Sequence, residues 1–141
     1  MRARKTEQGY LLRLEKGESV IATLTDFCEK QGIQAGFFHG LGAVKNTVIG
    51  YYPLEKKEYV FETHPEDREV ASMTGNIALV DGKPFIHLHA VLSACEARLG
   101  TIGGHVKETE VAVTLEIFLT RFGESVSRAM NDDIGLKLLD I

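Results

Sequence analysis

The sequence predicts an α+β fold, in which a mainly antiparallel β-sheet carries one main α-helix on its face. One segment, near residues 20–28, repeats its apolar residues at helical spacing. Most of the remaining chain consists of short β-like runs separated by glycines. Asp81-Gly82, between two such runs, is a strong hairpin signal, so neighbouring strands are expected to be antiparallel.

Length and composition predict one domain over residues 1–141, with enough chain to bury a core. Hydrophobic residues make up 44% and charged residues 26%, which is typical of a globular domain. No run approaches the roughly 20 apolar residues of a membrane span, and no apolar signal region begins the chain. With two cysteines, too few for a disulfide framework, a cytoplasmic protein is expected.

The first predicted elements are a strand over Gly9–Leu14 and a helix after the Lys16-Gly17 turn. Gly32 stands where a left-handed helix cap is wanted, so the helix should end there. Its apolar stripe, which we expect to lie on the sheet, consists of Val20, Ile21, Leu24, Phe27 and Cys28.

The predicted strands after the helix are bounded by glycine and polar turn residues. A break is expected at Gly40-Leu41-Gly42, and the polar triplet Lys107–Thr109 is expected to close the last hairpin. The strands are Ala35–Leu41, Val44–Tyr52, Tyr59–Thr63, Val70–Val80, Phe85–Leu92, Arg98–Val106, Val111–Thr120 and a final one near Val126. A tail at Leu136–Ile141 completes the chain.

The net charge of −4 argues against direct nucleic-acid binding. Proteins that grip nucleic acids normally carry a basic excess, because neutralising phosphates supplies much of the affinity. The basic segment Met1–Lys5 is predicted to be a solvated tail rather than a DNA-binding arm.

Two histidines on one strand are the main chemical signal. Side chains alternate between the faces of a strand, so His87 and His89 share one face. Their backbone positions should lie roughly 6–7 Å apart, which suits two ligands of one metal. The opposite face, predicted to be core beneath the helix, consists of Ile86, Leu88, Ala90 and Leu92.

A third imidazole is expected from the next strand. If the hairpin turns at Cys95–Ala97, His105 lies opposite His87 and points to the same face. A two-residue turn would shift the register and turn His105 away, unless Gly103-Gly104 forms a bulge. Those glycines would also leave room for water or a small ligand.

Three imidazoles favour zinc, or another divalent first-row metal, and leave a fourth coordination position open. The alternative is a set of hydrogen-bonded core histidines. His39 could face the same pocket, although an interface or core position is favoured for it. Glu116 could accept a hydrogen bond from an imidazole N–H or act as a general base. An exposed or interface carboxylate is the favoured interpretation.

Four segments together resemble the PPC domain shared by plants and prokaryotes, and the match extends from about Gly9 to Ile141. The segments are AGFFHGLGAV at 35–44, GNIAL at 75–79, PFIHLHA at 84–90 and GGHV at 103–106.

The resemblance implies an antiparallel sheet with one helix, assembly as a homotrimer, and a distant fold relationship to acetolactate decarboxylase. In that zinc enzyme three histidines hold the metal, and the matching positions here are His87, His89 and His105. Plant members carry an AT-hook and bind DNA, and prokaryotic relatives are often called predicted DNA-binding proteins. This chain has no Arg-Gly-Arg-Pro hook.

Three functions follow as hypotheses, with enzyme activity left open. The first is a metal-binding homotrimer that binds or acts on a small oxygen-rich molecule such as a keto acid. Phe85 and Val91, apolar on the histidine face, support a covering subunit. The second is a DNA-associated regulatory module whose metal is structural. The third is a metal-free oligomeric domain.

Overall fold

The structure, a computed structural model, describes residues 1–96 and 100–141. The α+β class is confirmed, since one helix accompanies a mainly antiparallel sheet. The elements are β1 (Arg2–Lys5), β2 (Gly9–Glu15), α1 (Val20–Gln31), β3 (Gly36–Tyr51), β4 (Val60–His64), β5 (Arg68–Val80), β6 (Lys83–Ala94), β7 (Ile102–Arg121), β8 (Arg128–Asn131) and β9 (Leu136–Leu139).

The main sheet has seven strands in the order β1-β2-β7-β6-β5-β3-β4. Because β3 also pairs with β7, the strands β3, β5, β6 and β7 form a closed ring. The other two described strands, β8 and β9, form a separate antiparallel hairpin. That hairpin is attached to β5 through a bridge between Leu79 and Ser127.

The helix forms where the apolar stripe predicts it. Gly32 adopts φ 62° and ends the helix in the left-handed conformation, as expected. The helix contacts β6 and β7, and at 12 residues it is too short to cross a bilayer. Its buried residues and the predicted apolar face of β6 join one core cluster, which includes Val20, Leu24, Phe27, Cys28, Ile86, Leu88, Ala90 and Leu92.

Two predicted strand breaks are wrong. Strand β3 runs through Gly40-Leu41-Gly42, where the irregular pairing with β5 is a bulge rather than an end. Strand β7 likewise continues through Lys107–Thr109. The polar triplet is no turn because Thr109 points inward, where its hydroxyl lies 2.7 Å from the Thr47 hydroxyl.

The N-terminal segment is exposed, as predicted, but it is a strand rather than a tail. It forms the edge strand β1, which pairs antiparallel with β2. Two of its charges have acidic partners, since Arg2 pairs with Glu15 and the N-terminal amine with Glu18. The last predicted strand, near Val126, begins instead at Arg128.

Candidate metal centre

Strand β6 places His87 and His89 on the face opposite the core, as the alternation predicts. Leu88 between them is fully buried, whereas the His87 ring is half-buried and the His89 ring is exposed. The two ring centroids lie 5.0 Å apart.

The register of the neighbouring strand differs from the prediction. His105 pairs with His89, not with His87. The connection from β6 to β7 is longer than the predicted turn, and residues 97–99, including the predicted strand start at Arg98, lie outside the described residues. The register differs by two residues, so His105 keeps the predicted face.

The three imidazoles form one cluster. The centroid of the His105 ring lies 5.1 Å from that of His87 and 5.4 Å from that of His89. One nitrogen from each ring lies within 4.8 Å of the other two. Nitrogens around one tetrahedral zinc at ~2.0–2.1 Å are about 3.4 Å apart, so the rings are near a common coordination sphere.

A second observation supports metal binding by the three imidazoles. His105 Nδ1 is buried and has no hydrogen-bond partner among the described residues. Buried polar atoms are normally paired, so an unpaired nitrogen on a ring that belongs to a cluster of three imidazoles supports a site for an ion. This cluster could therefore hold a divalent first-row metal.

Burial and neighbouring positive charge keep two of the rings neutral. Burial lowers the pKa of His87 to about 4, assisted by the charges of Arg128, His105 and His89. Burial also lowers the pKa of His105 to about 4, assisted by His89 and Arg128. The lone pairs of both rings are thus free of protons at neutral pH, as metal coordination requires.

An aromatic wall holds the third histidine in place. The Tyr59 ring stacks on His105 with centroids 4.6 Å apart, and the Phe61 ring lies 6.2 Å from it. Burial raises the pKa of the Tyr59 phenol, with a smaller contribution from Tyr52. Tyr59 is therefore a neutral hydroxyl at the edge of the cluster.

Arg128 is a neighbour of the cluster that the sequence analysis missed. Its Nη2 donates to Asn76 Oδ1 at 2.8 Å and lies 3.2 Å from His87 Nδ1. The position of Asn76 beside His87 could be predicted from the sequence, because the Asp81-Gly82 turn sets the register that pairs the two residues. Arg128 gave no such signal, since the β8–β9 hairpin approaches from outside the main sheet.

The two other candidate residues do not join the cluster. His39 faces the same side, but Thr74 of β5 separates it from His89, about 10 Å away across the sheet. Its ring stacks instead on Phe118, with centroids 5.2 Å apart. Glu116 is exposed and lies eleven residues beyond His105 on β7, about 36 Å along the strand.

The expected role of the paired glycines is only partly correct. A Cβ at Gly104 would overlap the Gly50 carbonyl oxygen of β3. Gly104 is thus required for the close approach of β7 to β3. Room for a ligand lies elsewhere, in two hollows that share His87. One, of about 370 Å³, includes Thr74, Asn76 and His89.

Comparison with known proteins agrees with this architecture. The family model of the Plants and Prokaryotes Conserved (PCC) domain matches residues 1–123. No functionally curated protein matches the chain by sequence.

Three solved structures are similar over most of their length. A plant- and prokaryote-conserved (PPC) protein from Pyrococcus horikoshii is 38% identical with a TM-score of 0.85, covering 94% of this chain and 90% of its own. A metal-containing protein from Archaeoglobus fulgidus is 37% identical with a TM-score of 0.84, covering 98% of each chain. A protein named "Putative DNA-binding protein" from Ralstonia eutropha is 28% identical with a TM-score of 0.88, covering 99% of this chain and 95% of its own. With its sheet, helix and family match together, the chain belongs to the Plants and Prokaryotes Conserved domain family.

Proposed function

We propose that His87, His89 and His105 bind one divalent metal ion, with zinc the first choice, and that a small oxygen-rich molecule such as a keto acid binds at the open coordination position. The observation that carries the proposal is the convergence of three imidazole nitrogens within 4.8 Å. The metal content of the Archaeoglobus fulgidus protein, 37% identical, supports it.

The residues around the cluster have separable tasks. The three neutral imidazoles would hold the ion, and Tyr59 packs against the His105 ring. Such an ion, when bound, polarises a carbonyl or lowers the pKa of a water molecule. Three protein ligands leave the fourth position open, which is typical of catalytic rather than structural zinc.

A homotrimer is part of the same proposal. The histidine side of the sheet exposes apolar side chains of 39–51% relative accessibility, on the face away from the helix. A symmetric partner is an economical cover for such a surface, and the family resemblance implies a trimer. The exposed residues are Phe37, Phe85, Val91 and Phe118.

Metal content and particle mass, measured on the same untagged protein, test this proposal. We expect about one zinc per chain in a particle of three times the 15.6 kDa chain mass. His87→Ala should lose most of the zinc, because two imidazoles remain. His39→Ala is the matched control, a histidine on the same face but outside the cluster, and should keep its zinc. Wild-type protein without metal, or full zinc in His87→Ala, would contradict the metal assignment, and a monomer would contradict the trimer.

DNA binding with a structural metal is the second candidate. The name of the Ralstonia eutropha protein favours it. So do Arg2, Arg4 and Arg13, which line one open hollow on strands β1 and β2. Two of these arginines, however, pair with Glu15, and the net charge is −4.

We therefore expect no saturable binding to duplex DNA, even at low salt, where phosphate contacts are strongest. Titration of a labelled random duplex over a salt series measures this. Binding that weakens steeply with salt, and weakens further in Arg4→Ala, would favour the DNA-binding candidate instead.

A further inference from the structure

We propose that Arg128 binds the carboxylate of a small ligand in the hollow beside the histidine cluster, so that the ligand class is small carboxylates with a second oxygen that reaches the metal. This inference rests on the proposed function and deepens it.

The hollow lies between the cluster and the C-terminal hairpin. Its volume is about 180 Å³. Its lining includes His87 and His105 of the cluster and residues 136–138 of the hairpin. Tyr59, Val80, Phe85 and Arg128 complete the lining, so a molecule bound there lies within reach of both the imidazoles and the guanidinium.

Arg128 has unused hydrogen-bonding capacity. Its Nη1 donates to the Lys137 carbonyl oxygen at 3.0 Å, and its Nη2 contacts Asn76 and His87. Its Nε is buried and has no partner among the described residues. A buried donor left unpaired is costly, which points to a binding partner supplied from outside the chain.

Arg68 shows what this edge of a guanidinium binds. In Arg68, Nε and Nη2 lie on one edge of the guanidinium, and both donate to one carboxylate oxygen, Glu66 Oε1. Two donors on one planar edge match the two oxygens of a carboxylate, which makes arginine the usual carboxylate ligand. Within residues 1–96 and 100–141, no carboxylate forms an ion pair with Arg128. On the same edge of Arg128, Nη2 contacts Asn76 and His87, and Nε is the donor left for a ligand.

Metal coordination by His87 would free the Arg128 Nη2 donor that now contacts His87 Nδ1. Arginine can only donate, so His87 Nδ1 accepts the hydrogen bond from Arg128. A neutral His87 that binds an ion either uses Nδ1 as the ligand atom or carries its hydrogen there. In both cases Nδ1 cannot accept from Arg128. Loading the site thus frees an Nη2 donor beside the unpaired Nε.

Charge balance favours an anion at the same place. The three ligands are neutral imidazoles, so a divalent ion would keep its full charge. Arg128 adds a further positive charge next to His87. A carboxylate between the ion and the guanidinium would neutralise part of both and would supply the acceptor that metal-bound histidines commonly have.

Calorimetric titration of pyruvate into the zinc-loaded full-length protein tests the proposal. Pyruvamide, in which a neutral amide replaces the carboxylate, and inorganic phosphate are the comparison ligands. We expect pyruvate to bind at least tenfold more tightly than pyruvamide and than phosphate. Arg128→Gln should reduce pyruvate affinity at least tenfold while zinc stays at one per chain. Arg128→Lys should restore part of the affinity, and Arg4→Gln, a surface control, should change nothing.

The outcomes separate the two proposals. Unchanged pyruvate affinity in a zinc-loaded Arg128→Gln protein would overturn the role of Arg128, and tighter binding of phosphate would overturn the carboxylate class. Equal affinity for pyruvate and pyruvamide would do the same. Each of these three results leaves the metal site intact, whereas a wild-type protein that binds no zinc would overturn the proposed function and this inference together.

Discussion

Gly36→Ala is expected to destabilise the protein by roughly 2–3 kcal/mol, as overpacking in a tight site does. Gly36 lies in the closed ring, where it pairs with Ile77 on β5 and with Arg121 on β7. A Cβ there would overlap the Thr120 carbonyl oxygen and lie 3.3 Å from the Arg121 Cα. Both are backbone atoms, so relief requires β3 and β7 to separate where they close the ring.

Gly123→Ala is the matched control for this prediction. It lies just beyond β7, and a Cβ there meets nothing within 4 Å. Neither Gly36 nor Gly123 has a positive φ. The two variants therefore differ in the space around the added methyl group and not in backbone strain. Urea unfolding of the three proteins measures the difference. Equal midpoints for Gly36→Ala and Gly123→Ala would show that the ring closure tolerates the added methyl group.

The parts of this fold that depend on local signals could be predicted. The helix, its Gly32 cap and the inward face of β6 all follow from spacing within about a dozen residues. The Asp81-Gly82 turn was equally visible, and both residues adopt the positive φ of a tight hairpin, 52° and 78°.

The errors come from contacts distant in sequence. Lys107–Thr109 looks like a turn by composition, yet pairing with β3 keeps the segment extended. Thr109 is buried at 6% relative accessibility because Thr47, far away in the chain, supplies its hydrogen-bond partner. No local pattern contains this information.

The candidate site contains residues that local patterns predict and residues that only distant contacts position. His87 and His89 were placed by strand alternation, which is local. The face of His105 was predicted although its partner was not, because a shift of two residues preserves the face and a shift of one reverses it. Arg128 could not be found, because a separate hairpin brings it to the cluster.

Acidification should destabilise the metal-free protein well above the pH at which its carboxylates are protonated. The pKa values of folded His87 and His105 are about 4, whereas the value for an unperturbed histidine is 6.5. Below pH 6.5 the unfolded chain therefore binds protons that the folded chain does not, and stability falls as the pH approaches 4. For the pair we expect a loss on the order of 3 kcal/mol, after halving for their partly exposed rings.

Urea unfolding in a chelating buffer between pH 7.5 and 4.5 measures this loss. The groups facing the two rings are Arg128, His89 and Tyr59, and none of them is a carboxylate. Carboxylates with a lowered pKa, such as Glu66 and Glu110, lose their contribution mainly as the pH falls through their ordinary value of 4.5, at the acid end of this range. The double variant His87→Asn, His105→Asn should therefore lose most of the pH dependence. An unchanged slope in that variant would place the acid sensitivity outside the cluster and would contradict the burial of two neutral imidazoles there.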